Sequence, residues 1–258
     1  MGKFIVIAGP CVVENLEICL EVATRVKRIC HKAGFHYIFK SSYKKANRTR
    51  LKSFSGLDEE EAFSILRQVK EKAKVPVLTD IHETTDVDKV KDFADFLQIP
   101  AFLCRQTELL LAAGSSGKWV NIKKGQFASP ESMAFAVEKV RSTGNKKVML
   151  TERGTTFGYY DLVVDFRSVP RMQKFGVPVI VDCTHSLQQP NQQSGISGGT
   201  PEMIETLCRA AVAVGADGLF IETHPNPQAA LSDASSMLPL DKISYILRKC
   251  EKIRQAMG

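Results

Sequence analysis

Short runs of β-branched and aromatic residues recur along the chain at positions 4–8, 37–41, 75–79, 96–99, 119–123, 147–151, 177–182 and 218–222, and each reads as a strand. Between most of them the apolar residues fall on a helical period. Leu16, Cys19, Leu20, Ala23, Val26 and Ile29 share one face, as do Ala62, Phe63, Leu66, Val69 and Ala73. Start signals agree with this period. Asp58, with Glu61 three residues on, forms a capping box before the second helix. Thr200-Pro201 supplies an N-cap and a first-turn proline before Ile204, Leu207, Cys208 and Ala211. Gly34 and Gly215 stand where helix C-caps belong.

Eight strands alternating with helices predict an α/β protein built as a single (β/α)8 barrel, because a lone parallel strand must be covered by its crossover helix. A doubly wound open sheet is the structural alternative. No Gly/Ser linker, low-complexity tract or internal repeat divides the chain, so residues 1–258 are expected to form one domain. The sixth helix has the weakest signal. Its strand runs into LTERGTTFGYY, and a helical pattern resumes only near Asp165.

Composition adds the environment. Of 258 residues, 44% are hydrophobic and 24% charged, which excludes disorder, collagen and coiled coil. The net charge of +7 predicts an affinity for anions without choosing among nucleic acid, membrane and phosphorylated metabolites. No apolar run approaches the roughly 20 residues of a membrane helix, and the N-terminus carries neither a signal-peptide nor a myristoylation pattern. Seven cysteines without repeated spacing argue against a disulfide framework and for a reducing cytoplasm.

The chemistry collects just past the strand ends, where barrel enzymes keep their sites. Cys11 follows the first strand, Lys40 and Lys45 the second, Asp80 and His82 the third, Lys123 and Lys124 the fifth. Glu152 and Arg153 follow the sixth, Asp182 and His185 the seventh, Glu222, His224 and Asp233 the eighth. Closure of a barrel makes strands seven, eight and one neighbours, so Cys11, His185, Glu222 and Asp233 can meet. A thiolate, an imidazole and two carboxylates suit zinc or iron(II), with manganese less favoured by sulfur. The plainer reading makes Cys11 a small core residue and His185 a hydrogen-bonded loop residue. Lys40, Lys45, Lys123 and Arg153 form a second group, suited to a ligand carrying phosphate and carboxylate. Read plainly, FKSSYKKANRTRLK is a solvated basic loop. Nucleic-acid binding is not expected, since stacking aromatics are not interleaved there and no recognised binding motif appears. SGGTPE offers a helix N-terminus to phosphate or is simply a loop ending in a cap.

Ten motifs in order, IAGPC, FKSSYKKANR, TDIHE, QIPAFLCRQT, NIKKGQF, LTERGTTFGYYDLVVDFRS, DCTHSLQ, SGGTPE, ETHPNP and ALSDASSMLPL, closely resemble the 3-deoxy-D-manno-octulosonate 8-phosphate synthases from about Lys3 to Leu240. The resemblance implies condensation of phosphoenolpyruvate with arabinose 5-phosphate for lipopolysaccharide synthesis. By it, Lys40, Lys45, Lys123 and Arg153, with Gln98 and Gln126, make the phosphoenolpyruvate site. Asn47, Arg48 and Thr49 make the sugar-phosphate site, completed by Arg105 from a neighbouring subunit of a homotetramer. Cys11, His185, Glu222 and Asp233 match the ligands of the metal-dependent lineage, whereas metal-free relatives carry Asn at the position of Cys11. Lys45 is implied as a proton donor, and His185 or Asp233 as the group that handles water. SGGTPE has no phosphate-binding role in the family.

Departures are local. The family's Ser-Phe-Asp-Lys-Ala-Asn-Arg-Ser appears with Tyr43, Lys44 and Thr49 at the changed positions, and its Ser-Phe-Arg-Gly-Pro-Gly becomes SFSGLD, with Ser55 for Arg and Leu57 for Pro. Arg50 is expected to replace part of the missing charge. The nearest rival is 3-deoxy-arabino-heptulosonate 7-phosphate synthase, which uses erythrose 4-phosphate and typically has Lys-Pro-Arg-Thr where this chain has KANR. A non-catalytic anion- or nucleic-acid-binding protein is the rival from another class.

Overall fold

The computed structural model describes residues 3–47, 54–190, 192 and 197–257. Eight parallel strands form the barrel: β1 (Ile5–Gly9), β2 (His36–Lys40), β3 (Val77–Asp80), β4 (Phe96–Ile99), β5 (Trp119–Lys123), β6 (Val148–Glu152), β7 (Val179–Asp182) and β8 (Gly218–His224). Each pairs with the next in sequence, and β8 closes the ring on β1 through Ile5 opposite Gly218 to Gly9 opposite Glu222. That closure excludes the open doubly wound sheet. Around the barrel run α1 (Leu16–Lys32), α2 (Glu59–Ala73), α3 (Asp86–Val90), α4 (Thr107–Ser115), α5 (Met133–Ser142), α6 (Ser168–Gln173), α7 (Ile204–Ala213) and α8 (Ile243–Ala256).

The strand period of two divides each strand between two cores. Ile7, Ile38, Leu78, Phe96, Met149, Ile180 and Phe220 fill the barrel interior. Their sequence neighbours, among them Val6, Tyr37, Val77, Leu97 and Leu219, face the helices and belong to the larger outer core. Two residues beyond the interior layer, the same faces carry Lys40, Asp80, Gln98, Thr151, Asp182 and Glu222, all buried. The pattern that seals the barrel therefore also aims the polar residues into its mouth.

Most predicted elements lie within two residues of their expected bounds. The runs at 75–79 and 177–182 begin as strands only at Val77 and Val179, because Pro76 and Pro178 have no N–H for the ladder. Their carbonyls still accept from Phe39 N at 2.9 Å and Leu150 N at 3.0 Å. Asp58 caps α2 as expected, accepting from Glu60 N at 3.0 Å and Glu61 N at 3.4 Å. Gly34 and Gly215 take the left-handed conformation at φ 69° and 86°. Thr200 departs from expectation. Its side chain caps nothing, and a 3-10 turn at Pro201–Met203 leads into α7 instead. The weak sixth helical signal has a cause as well: a β-hairpin pairing Thr155–Phe157 with Asp161–Val163 occupies the segment, and α6 is only six residues long. None of the described helices is long and apolar enough to cross a membrane.

Candidate active site

A relay of hydrogen bonds crosses the barrel under its mouth. Thr151 Oγ1 donates to Asn121 Oδ1 at 2.7 Å, Asn121 Nδ2 to Gln98 Oε1 at 2.9 Å, and Gln98 Nε2 to Asp80 Oδ1 at 2.5 Å. Each amide is thereby oriented, and the relay ends on a carboxylate that also accepts from the Ser42 hydroxyl. Above it Lys40 Nζ donates to Glu222 Oε1 at 3.0 Å, Ser42 Oγ at 3.1 Å and the Cys11 carbonyl at 3.2 Å, while Lys45 Nζ donates to Ser42 Oγ at 3.0 Å. Burial acts to raise the Asp80 carboxyl pKa, but Lys40 and Lys45 outweigh it and hold the group well below the usual range. Burial likewise works against the Lys45 ammonium. The acidic groups around it, the Cys11 thiol once ionised and then Glu222, Asp233 and Asp80, override it and lift the amine above the ordinary lysine range.

Across the mouth, Lys123 Nζ donates to Asp182 Oδ2 at 2.6 Å, lies 3.3 Å from His185 Nδ1 and stands 3.9 Å above the Phe220 ring. Its pKa is lowered, first by burial and then by Lys40, with Asp182 opposing. Asp182 Oδ2 also lies 2.8 Å from His185 Nδ1, and Oδ1 accepts from His185 N at 2.8 Å. A proton on Nδ1 shared with Asp182 leaves Nε2 as the ring's acceptor, 3.5 Å from Glu222 Oε1. Arg153 donates to Gln188 Oε1 at 3.0 Å through one nitrogen, while its other terminal nitrogen is buried with no partner among the described residues. Burial lowers its pKa as well.

Lys40, Lys45, Asn47, Gln98, Lys123, Gln126, Arg153 and His185 all line one cavity of about 200 Å³, walled on its apolar side by Pro100, Phe102 and Leu103. Four cations, one with an unpartnered N–H group, make this a site for a small, highly charged anion.

Beside it, Cys11 Sγ and a carboxylate oxygen each from Glu222 and Asp233 lie within 4.8 Å of one another. The thiol donates to Asp233 Oδ2 at 2.9 Å and sits 3.0 Å from Ser232 Oγ. Burial, followed by the charge of Asp233 and Glu222, pushes the Cys11 pKa well up. Glu222 Oε2 is fully buried without a hydrogen-bond partner among the described residues. A divalent cation answers both features, because it supplies a partner for the orphaned oxygen and favours the thiolate. The residues therefore fit a metal. His185 is outside the trio, with its Nε2 3.5 Å from Glu222 Oε1. Asp233 has φ 49°, a left-handed conformation rare for a non-glycine residue, with its carbonyl accepting from Ser236 N at 3.0 Å.

Arg105 does not join the cavity. It is exposed after the turn at Ala101–Leu103, and its carbonyl accepts from Lys139 Nζ at 3.2 Å. Arg48, Thr49 and Arg50 lie outside the described residues. Asp80, His82 and Asp182 are legible in the sequence as strand-end residues but not by role, and Ser42 and Phe220 are not legible as site residues from strand ends and charge. For Phe220 the signal was available, since it precedes Glu222 by two and so shares its face. Ser42 gave none, being one of two serines in a loop.

A closed barrel whose strand ends carry an anion cavity beside a sulfur-carboxylate donor set defines a barrel enzyme acting on a small anionic substrate. The family model described as DAHP synthetase I matches residues 2–257, and the chain belongs to that family. It is similar to the 2-dehydro-3-deoxyphosphooctonate aldolase of Cyanothece sp., 50% identical over 255 residues covering 99% of this chain and 93% of that one. The protein of the same name from Fusobacterium nucleatum is 50% identical over 246 residues, 95% of this chain and 88% of the relative. That from Trichlorobacter lovleyi is 49% identical over 253 residues, 98% and 93% of the respective chains.

Proposed function

We propose that the protein condenses phosphoenolpyruvate with D-arabinose 5-phosphate and water to give 3-deoxy-D-manno-octulosonate 8-phosphate and inorganic phosphate, for lipopolysaccharide synthesis. The observation that carries this reading is the convergence of Lys40, Lys45, Lys123 and Arg153 on one cavity beside the Cys11, Glu222 and Asp233 trio, in a chain half identical to proteins named for the octonate. The vinyl carbon of phosphoenolpyruvate is a weak nucleophile, so the site must hold it against the aldehyde and exclude water until the new bond forms. Lys40, Lys123, Arg153, Gln98 and Gln126 bind its phosphate and carboxylate. Asn47, Arg48 and Thr49 bind the sugar phosphate.

Attack of that carbon on the aldehyde forms the carbon–carbon bond and leaves an alkoxide, which takes a proton from Lys45. Lys45 suits the task because it lines the anion cavity, where its Nζ is held 3.0 Å from Ser42 Oγ. Water then adds to the second carbon of the former phosphoenolpyruvate, and phosphate departs with cleavage of the carbon–oxygen bond. Asp233 takes the proton that water loses, since a carboxylate can ligate through one oxygen and accept at the other. His185, oriented by Asp182, takes that proton instead only where its Nε2 is free of the metal. Zinc or iron(II), and less readily manganese, held by Cys11, His185, Glu222 and Asp233, supplies when bound a positive charge that orients the acceptor aldehyde.

Oligomer formation belongs to the same reading. Arg105 is exposed and does not line the cavity of its own chain, and Phe102 and Phe135 are 57% and 65% exposed. A homotetramer gives these aromatics cover and Arg105 a neighbouring site to complete. Seven free, buried thiols suit a reducing cytoplasm. Incubation with phosphoenolpyruvate and either arabinose 5-phosphate or erythrose 4-phosphate, with divalent metal, tests the reaction by release of inorganic phosphate. Turnover with the five-carbon sugar is expected. Turnover only with erythrose 4-phosphate assigns the heptulosonate reaction instead, and none with either makes the protein an anion binder.

A further inference from the structure

Lys124, the residue after β5, is a buried charge to which the proposed reaction gives no task. It is 1% exposed and does not line the anion cavity. Because strand side chains alternate, Lys123 enters the barrel and Lys124 leaves on the opposite side, between the loops that follow β5 and β6. There its ammonium meets five oxygens: Thr155 Oγ1 at 3.1 Å, the Ala128 carbonyl at 3.3 Å, and the Gly125 and Gly154 carbonyls and Glu152 Oε1 at 3.4 Å. Three N–H donors shared among five acceptors make a cage with no dominant contact. What the cage holds is as informative as what holds the cation.

Gln126 sits between the tied carbonyls of Gly125 and Ala128. Arg153 sits between Glu152 and Gly154, both of which contact Lys124. Two further bonds brace the same loops: Glu152 Oε1 accepts from Gly154 N at 2.7 Å, and Thr156 N donates to the Gln126 carbonyl at 3.1 Å. Gly154 itself holds φ 86°, which turns the chain immediately after Arg153. An apolar side chain at position 124 leaves the buried carbonyls without their donor, and they then have reason to turn toward water.

We propose that Lys124, with Glu152 as its counter-charge, is a positioning residue that locks the loops after β5 and β6 so that Gln126 and Arg153 face the anion cavity. The assignment rests on that cavity taking phosphoenolpyruvate. Lys124→Met alone strands a buried carboxylate and confounds positioning with folding. Lys124→Met/Glu152→Gln is neutral and keeps an acceptor for Gly154 N. The double variant is expected to fold as wild type by circular dichroism, to raise the Michaelis constant for phosphoenolpyruvate about tenfold, and to leave that for arabinose 5-phosphate unchanged. Calorimetric binding of inorganic phosphate should weaken by a similar factor. A folded double variant with wild-type phosphate affinity overturns the proposal, as does an equal rise in both Michaelis constants. If the double variant does not fold, Glu152→Gln alone decides, with about threefold weaker phosphate binding expected and unchanged binding overturning the assignment. A wild-type protein that turns over neither sugar removes the proposed reaction, while the phosphate titrations still judge Lys124.

Discussion

Lys123 is pulled in opposite directions by its neighbours, and the balance predicts a pH profile. Burial and Lys40 lower its pKa more than Asp182 raises it, so the ammonium loses its proton below the ordinary lysine range. The neutral amine binds anions poorly. The alkaline limb of kcat/KM for phosphoenolpyruvate should therefore fall below pH about 10.4, the ordinary lysine value. A bound dianion restores the charge, so the limb of kcat should lie at higher pH than that of kcat/KM, and Lys123→Arg should push the kcat/KM limb upward. Coincident limbs in wild type and Lys123→Arg would assign the titration to another group. Cys11 supports a different test. A chelator should inactivate the wild type, whereas Cys11→Asn should retain chelator-resistant activity, because an amide can hydrogen-bond across the site but ligates zinc or iron poorly. Its surroundings contain Glu222 and Asp233 placed for a cation, so a rate loss of roughly tenfold to a hundredfold is expected, about 1.4 to 2.7 kcal/mol. A folded, metal-free Cys11→Asn protein with no turnover would mean that the ion does more than orient the aldehyde.

Single elements show how local signals and tertiary context share the fold. Asp58 caps α2 through two backbone N–H groups, so Asp58→Ala should cost about 1 kcal/mol in urea denaturation. At the other end of the same helix, Lys74 occupies the left-handed C-cap at φ 52°. Here Lys74→Gly should stabilise by up to about 1 kcal/mol, since glycine escapes the Cβ clash; equal midpoints would show that Lys74 is unstrained. The first feature is legible in sequence because Asp58 and Glu61 carry the signal themselves. The second is not, because nothing in lysine announces a left-handed turn. The barrel strands were legible for the first kind of reason, with ends displaced by one or two residues, at Val77 and Val179 because Pro76 and Pro178 began a run without an N–H group. The hairpin at Thr155–Phe157 and Asp161–Val163 escaped notice because its six residues are mostly exposed and carry no apolar period. For the site, strand ends and charge located the cations and the metal-fitting trio. They did not yield the roles of Ser42 and Asp182, because the contacts of Ser42 with Asp80 and of Asp182 with Lys123 join different strand ends far apart in sequence.

At the scale of the whole molecule, the anion cavity holds Lys123, whereas Arg105 lies outside the cavity of its own chain. If Arg105 completes the sugar-phosphate site of a neighbouring copy, the two residues serve one reaction from different subunits, and each can be lost separately. Arg105→Ala homo-oligomers then lack the arginine at every site, and Lys123→Ala homo-oligomers lack the lysine at every site. Both should lose most activity, since each removes a charged contact to a phosphorylated substrate. Mixed oligomers reconstituted from the two differ in kind. Wherever a subunit with intact Lys123 adjoins one with intact Arg105, a complete site forms, so activity should reappear on mixing and rise with the fraction of hybrids. The expected phenotype is also asymmetric. Arg105→Ala should raise the Michaelis constant for arabinose 5-phosphate and Lys123→Ala that for phosphoenolpyruvate, because the two cations hold different anions. Hybrids verified by mass that show no more activity than either parent would place Arg105 outside the active site and leave it a surface charge beside Phe102.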